Sequence, residues 1–475
     1  MSDDKQQASW SELLWGRNGL RSLALAGGIA LHAVNVYIVA TVLPSVVRDI
    51  GGLEYYAWNM TLFVVASILG SALSPKTIDA WGLRNSFLVG LAIFAAGTAA
   101  CAAAPAMEWM LIGRTGQGFG GGLILGLSYS SIRILFEERL WPKAMSLLSS
   151  MWGVATLAGP AVGGIFAESD AWRWAFWTVI PLTLGLAALV ATQISANATT
   201  RSATPVGVPI GQIGLMIIAV LVVSVASLSP NLAWNIVGIV AGVAISVAIG
   251  LMDNKASTRL LPKGGYSLNG NLGSLYACVS LLSVTMTAEI FIPYFLQAIQ
   301  GFSPLMAGYF MVLLSIGWST GSIAFAGRGV EFANWLLRIG PLLSAVSLAG
   351  LVIVQPIASV DYAVVVAWAI GILLFGVGLG IGITWPHMLT QVFRISPAGQ
   401  ENMASSAIIT VQLYALAFGA ALAGMVTNAA GFTDPGGLVG TQQASVALLA
   451  VLALAPAWAA WLMRPVVRSR MKAAA

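Results

Sequence analysis

Apolar runs of roughly 20 residues, each long enough to cross about 30 Å of hydrocarbon as a helix, recur in this chain from residue 21 to residue 463. Hydrocarbon offers an open backbone no water, so the structure such runs adopt is the helix, which satisfies its own amides. Fourteen spans are predicted, at 21–48, 56–78, 86–104, 109–131, 142–167, 174–193, 210–229, 232–252, 271–298, 305–326, 335–355, 361–390, 402–429 and 442–463. The chain is 58% hydrophobic and 8% charged, whereas soluble domains carry about 25% charge, so no water-soluble core could hide its apolar surface. The segment Leu23 to Val47 is longer than a signal-peptide core and is followed by no small-residue cleavage site, so it is expected to stay in the mature protein.

A formal net charge of +5 invites the idea of a nucleic-acid partner, but the positions of the charges explain it otherwise. With the N-terminus taken as cytoplasmic, all of the 22 basic residues except Arg48, Arg173 and Arg114 fall in inner segments, among them Lys5, Lys76, Arg84, Arg201, Lys263, Arg328 and Lys472. That asymmetry is the positive-inside pattern. It implies a multi-pass protein of the cell's inner (cytoplasmic) membrane with both termini cytoplasmic, and no nucleic acid as partner. Cys101 and Cys278 lie inside apolar runs, where a thiol is a small hydrophobe. Trp10, Leu13, Leu14 and Trp15 recur at helical spacing before the first span and fit a short interfacial helix.

Glycine clusters recur in two halves. The fourth span holds Gly116, Gly118, Gly120, Gly121 and Gly122, and the twelfth holds Gly376, Gly378, Gly380 and Gly382. Paired bundles of this kind build transporters with a site near the bilayer midplane, while glycine on its own also serves plain close packing of helices. The expected organisation is a cytoplasmic or interfacial segment 1–20, an N-terminal six-helix bundle 21–193, a linker 194–270 with two extra transmembrane helices, a C-terminal six-helix bundle 271–463 and a basic cytoplasmic tail 464–475. Within the linker, 195–209 and 253–270 are rich in Ser, Thr, Pro and Gly and read as hinges.

The motifs sharpen this. Leu111-Ile112-Gly113-Arg114-Thr115-Gly116-Gln117-Gly118 resembles the fourth-helix motif of the major facilitator superfamily, and Gly153 through Gly164, with Gly159-Pro160-Ala161-Val162-Gly163-Gly164, resembles its fifth-helix antiporter motif. Thr41-Val42-Leu43-Pro44 is similar to the end of its first helix and Asp170-Ala171-Trp172-Arg173-Trp174-Ala175-Phe176 to the segment leading into its sixth, while Ile50-Gly51-Gly52 with Tyr55-Tyr56-Ala57-Trp58 resembles its fourteen-helix drug:proton antiporter branch. The resemblance implies an all-α membrane protein, two six-helix bundles of the major facilitator fold plus two linking helices. It further implies secondary active export of small amphipathic or cationic compounds by proton antiport through alternating access. Such a protein works in membrane lipid as a monomer, with protons and a small molecule as partners and no cofactor beyond the proton gradient.

Two departures matter. The loop between the second and third spans keeps Asp79, Gly82 and Arg84, the expected gating residues, but Pro75 stands for its first glycine and Ala80 for its central arginine. The first-helix motif of the branch begins with aspartate, and Asn35 stands there instead. A carboxylate in the first span therefore does not carry the proton.

Ionisable groups deep in a bilayer are costly and mark pathways or internal partners. Four stand out: His32, Arg114, Glu289 and His387. Glu289, the one acidic residue well inside a span, is the leading proton-coupling candidate, its alternative being a fixed partner for Arg114. Low dielectric favours the neutral form of an acid, which suits a carboxyl that exchanges protons. His32 shares a helix face with Asn35 and is either a substitute titrating group or a neutral bridge between helices. Arg114, linked to proton movement in the family it resembles, keeps its charge. His387 follows Trp385-Pro386 and reads as structural. The antiporter-motif candidates are Gly153, Gly159, Pro160, Gly163 and Gly164, with Pro160 favouring a kink.

Substrate-contact candidates are Asn35, Trp58, Tyr129, Trp152, Glu289, Tyr294, Gln297, Trp318, Trp385, Gln412 and Tyr414, since cavities pair aromatic surface with a few polar groups. The chain has no phosphate-cradling lysine motif, and His32 with His387 make no metal-ligand cluster, so no enzyme and no metal site is expected. Competing readings are a specific metabolite or siderophore exporter, a proton-coupled importer, a passive channel, and a non-transporting receptor or scaffold.

Overall fold

The computed structural model describes residues 9–195, 207–268, 270–325, 330–358, 361–397 and 400–474. Lys5, Arg201 and Arg328 of the charge pattern lie outside them, as does most of the 195–209 hinge. Among the described residues there is no β-strand. Among the same described residues, eleven helical stretches are long and apolar enough to cross a membrane.

A short helix, α1 (Trp10–Leu14), is capped by the Ser9 hydroxyl and lies against the start of α5 (Trp141–Glu168). Glu12 pairs there with Arg139 at 2.9 Å, and the Lys143 ammonium sits 5.5 Å from the Trp10 ring. Between them run α2 (Gly16–Ile50), α3 (Trp58–Ala102) and α4 (Met107–Leu135). Gly51 and Gly52 end α2 with φ of 73° and 78°, a left-handed stop that side chains disfavour. The 45-residue α3 is two helices, because Gly82 at φ 74° and ψ 164° breaks it in the middle; only glycine takes that conformation without strain. The second and third predicted spans therefore meet at the retained glycine of their loop. Two pieces, α6 (Trp172–Trp177) and α7 (Val179–Gln193), make up the sixth span.

The remaining helices are α8 (Ile210–Ala226), α9 (Leu232–Lys255), α10 (Asn271–Met286), α11 (Ile292–Gln300), α12 (Pro304–Phe325), α13 (Val330–Val354), α14 (Ala363–Ile395), α15 (Glu401–Ala429) and α16 (Gly437–Ala474). A 3-10 turn at Thr287–Ile290 interrupts the predicted ninth span between α10 and α11, and Glu289 sits on it.

Two compact units result. The first comprises residues 1–42 and 62–208, the second residues 43–61 and 209–475. In the first, α4 lies between the two arms of α3. A methyl group at Gly118 or Gly122 would strike the carbonyl oxygens of Phe63 and Ser67, and one at Gly120 would come 2.5 Å from the Phe94 amide. In the second, α14 lies likewise between α12 and α13. Methyls at Gly378 and Gly382 would strike the Leu314 and Trp318 carbonyls, and one at Gly380 the Gly340 carbonyl. Backbones this close exclude any side chain.

The pair α8–α9 belongs to the second unit and docks on α15. A methyl at Gly242 would come 3.2 Å from the Phe418 ring, the Tyr414 and Ser246 hydroxyls share a 2.6 Å hydrogen bond, and Asn428 donates to the Ser227 carbonyl at 3.2 Å. The other face of α9 (Leu232, Trp234, Val237, Val240, Val247, Leu251) is exposed, which is how an apolar surface meets lipid.

Segment 253–270, read from sequence as a hinge, is pinned at one end. The Asp253 carboxylate is fully buried and accepts from the Leu260 and Leu261 amides at 2.7 and 3.2 Å and from Gln212 Nε2 at 3.2 Å. Burial, with that carboxylate beside it, holds the Tyr266 hydroxyl well above its usual range.

Candidate functional site

The polar core of the first unit is built on α2, α3 and α4. Arg114 is fully buried. Its Nη1 donates to Asn35 Oδ1 at 2.6 Å and to Gln117 Oε1 at 2.8 Å, and its guanidinium lies 4.1 Å from the centre of the Phe63 ring, a cation–π contact. Gln117 Nε2 donates in turn to Thr98 at 3.0 Å, and the Cys101 thiol approaches Gln117 Oε1 at 3.5 Å. His32, one turn before Asn35, is 3% exposed. Its ring lies 5.1 Å from Phe63 and meets Trp152 of α5 edge-on at 6.1 Å. Phe63 thus shares one ring between the imidazole and the guanidinium. Tyr129 is within hydrogen-bonding reach of Ser149 and Trp152.

The glycines of α5 divide. A methyl at Gly159 would strike Tyr37 Cβ, and one at Gly163 would lie 2.9 Å from the Ile38 carbonyl, so α5 and α2 touch backbone to backbone here. Gly153 has nothing within 4 Å. Pro160 and Gly164 are buried on the same helix. At the break of α3, Asp79 is exposed and Arg84 half-buried, and among the described residues no ion pair joins them.

In the second unit, Glu289 is half-buried on its 3-10 turn, and its Oε1 is buried with no hydrogen-bond partner. Among the described residues it takes part in no ion pair. The Trp58 indole nitrogen and Gln297 Nε2 are likewise buried and unpartnered. Tyr294 reaches Thr441, and Trp318 and Trp385 stand 5.3 Å apart. Gln412 is half-buried, whereas Tyr414 is tied to Ser246 of α9. The His387 ring nitrogen donates to the Phe325 carbonyl at 2.9 Å.

A family model for the Major Facilitator Superfamily matches residues 25–420. The chain belongs to that superfamily. A probable multidrug-efflux transporter of Mycobacterium tuberculosis is 36% identical over 458 residues, which is 95% of each chain. The multidrug transporter protein MdtP of Bacillus subtilis is 27% identical over 427 residues, 87% of this chain and 76% of that one. Among solved structures, a POT family transporter in complex with 5-aminolevulinic acid superposes with a TM-score of 0.67 at 14% identity, covering 94% of this chain and 96% of that one. A D-xylose-proton symporter does so with a TM-score of 0.63 at 14% identity, covering 92% and 97%. At such identity these structures establish the fold alone. The chain is a multi-pass membrane transporter of the Major Facilitator Superfamily and not an enzyme.

Two groupings around the candidate residues are absent from the sequence reading. Phe63 lies against the guanidinium, while Thr98 and Cys101 contact the Gln117 amide that accepts from it, and only the Arg114 motif hinted at them. Tyr56, 1% exposed, packs in the second unit against Phe291, Tyr294 and Phe432 at 5.0, 5.4 and 5.9 Å. Those residues are too far apart in sequence for spacing to join them.

Proposed function

We propose that this superfamily member is a multidrug-type secondary exporter of small amphipathic or cationic compounds, driven by proton antiport through alternating access. The observation that carries this is the 36% identity, over 95% of both chains, to a transporter whose name declares multidrug efflux. Fourteen spans fit the reading. The Gly82 break divides one 50-residue stretch, and α4 and α8 add to the apolar helices. That count, the drug:proton antiporter branch, the inner-membrane location, the cytoplasmic termini and the monomeric state are all parts of the proposal.

Glu289 is the residue proposed to take the proton, because an unpartnered carboxyl in an apolar span can hold either a proton or a substrate charge. Binding one or the other gives obligatory exchange by competition. Arg114 and His32 are proposed to assist from the first unit. Asp79, Gly82 and Arg84 are assigned to gating, and Gly159, Pro160, Gly163 and Gly164 to the contact of α5 with α2. Asn35, Trp58, Tyr129, Trp152, Glu289, Tyr294, Gln297, Trp318, Trp385, Gln412 and Tyr414 remain the candidates for substrate contact.

The test is reconstitution. In proteoliposomes with an imposed pH gradient, an amphipathic dye should accumulate against its own gradient, and a protonophore should abolish the accumulation. Equilibration at a rate indifferent to the gradient would contradict antiport.

A further inference from the structure

Arginine can only donate hydrogen bonds. The 2.6 Å contact from Arg114 Nη1 therefore fixes which end of the Asn35 amide is the oxygen, and Nδ2, with two N–H groups, points the other way. That nitrogen is buried without a partner on a residue 0% exposed. Gln117 makes the contrast. Its oxygen also takes Arg114, but its nitrogen already donates to Thr98 at 3.0 Å.

A buried donor without an acceptor is costly. This one stands beside a cation that keeps its charge and donates to the Asn35 and Gln117 amide oxygens. A cationic ligand satisfies it poorly, because the guanidinium repels it even where it carries a carbonyl acceptor. A neutral carbonyl satisfies it weakly. An oxyanion satisfies it best, through a charge-assisted hydrogen bond and attraction to Arg114. The rings of the same core are aromatic: His32 lies 5.1 Å from Phe63 and 6.1 Å from Trp152, which is 37% exposed.

We infer that Asn35 sets charge selectivity: the first unit's core takes a small aromatic carboxylate or related oxyanion, with Asn35 Nδ2 donating to its oxygen and Trp152 beside its ring. This rests on reading that core as part of the transporter's substrate site, and it narrows the cationic alternative there.

Two xanthene dyes of one ring system and opposite charge test it: fluorescein, an anion, and a cationic rhodamine ester. Fluorescence anisotropy on the purified full-length protein in detergent should show fluorescein binding at least about tenfold tighter, the worth of one hydrogen bond to a charged group. Asn35→Asp should cancel the guanidinium's field, weaken fluorescein by about tenfold or more and bring the two dyes level. Asn35→Ser, which keeps a small donor, should lose only part of the preference, and it stands in should the aspartate variant fail to fold. Equal affinities in the unsubstituted protein, a preference for the rhodamine ester, no binding of fluorescein, or a ratio unmoved by a folded Asn35 variant would each overturn the inference. The exporter reading fails separately: fluorescein preference without gradient-driven transport in proteoliposomes supports the inference and removes proton-driven export.

Discussion

The helices α4 and α14 are built alike and equipped differently. Gly116, Gly118, Gly120 and Gly122 recur residue for residue as Gly376, Gly378, Gly380 and Gly382, and each set lets its helix lie in backbone contact with two neighbours. At the same spacing, Leu374 stands where Arg114 stands, and Val377 where Gln117 stands. Leu374 and Val377 are fully buried apolar residues, while Arg114 and Gln117 carry a hydrogen-bonded network. Glycine at these positions is thus a structural requirement of the repeat, and the charge in one copy is not. A guanidinium at 0% exposure contributes nothing to packing that leucine does not supply more cheaply, so its presence in one copy alone marks a task there.

The largest expected effect comes from making the copies alike in the wrong direction. Leu374→Arg places a charge where no polar network awaits it and should cost about 3–5 kcal/mol, seen as loss of folded protein by fluorescence-detected size exclusion. Arg114→Leu should be milder for folding, about 1–3 kcal/mol from the stranded Asn35 and Gln117 amides, yet should abolish transport. Normal transport by a folded Arg114→Leu protein would leave the asymmetry without meaning.

Next is the shared scaffold. Gly122→Val and Gly382→Val should each lower the melting temperature through overpacking of about 1–3 kcal/mol or more, and to a similar degree, since both side chains would strike a backbone carbonyl. Gly163→Val should behave in the same way, while Gly153→Val, with open space beside it, should leave both stability and transport near their original values. Harm from the Gly153 substitution equal to that at Gly163 would contradict the division of the α5 motif.

The smallest effect expected is at the linker. Asp253→Ala strands the Leu260 and Leu261 amides and should cost about 1–3 kcal/mol locally, read as faster hydrogen exchange confined to 255–268. Uniform protection in that segment would mean that the carboxylate does not hold it.

Much of this architecture is legible in sequence, for a physical reason. Apolar length reports a membrane span directly, and the Arg114 and Gly159-Pro160 motifs are local strings that name the superfamily. What escapes is what tertiary contact decides. Asp253 reads as the first residue of a loop because its burial depends on residues 258–261 folding back over it. Tyr414 reads as a free aromatic until α9 brings Ser246 to it. The position of Glu289 on a 3-10 turn between two helices is hidden inside an unbroken apolar run. Asn35 is visible as a departure from the aspartate of the motif it resembles, but the direction in which its amide points is set by Arg114, far along the chain.

The most direct test of proton-driven exchange is Glu289→Gln in proteoliposomes, with abundance and transport measured on one preparation. Glutamine keeps the size and shape of the side chain and removes the group that titrates. If the carboxyl exchanges proton for substrate, the variant should be as abundant as the original and still equilibrate dye across the membrane. Uphill accumulation under a pH gradient should vanish, and binding should lose its dependence on pH. A normally abundant Glu289→Gln protein that still drives dye uphill with the gradient would contradict this, and would move the search for the proton site to His32.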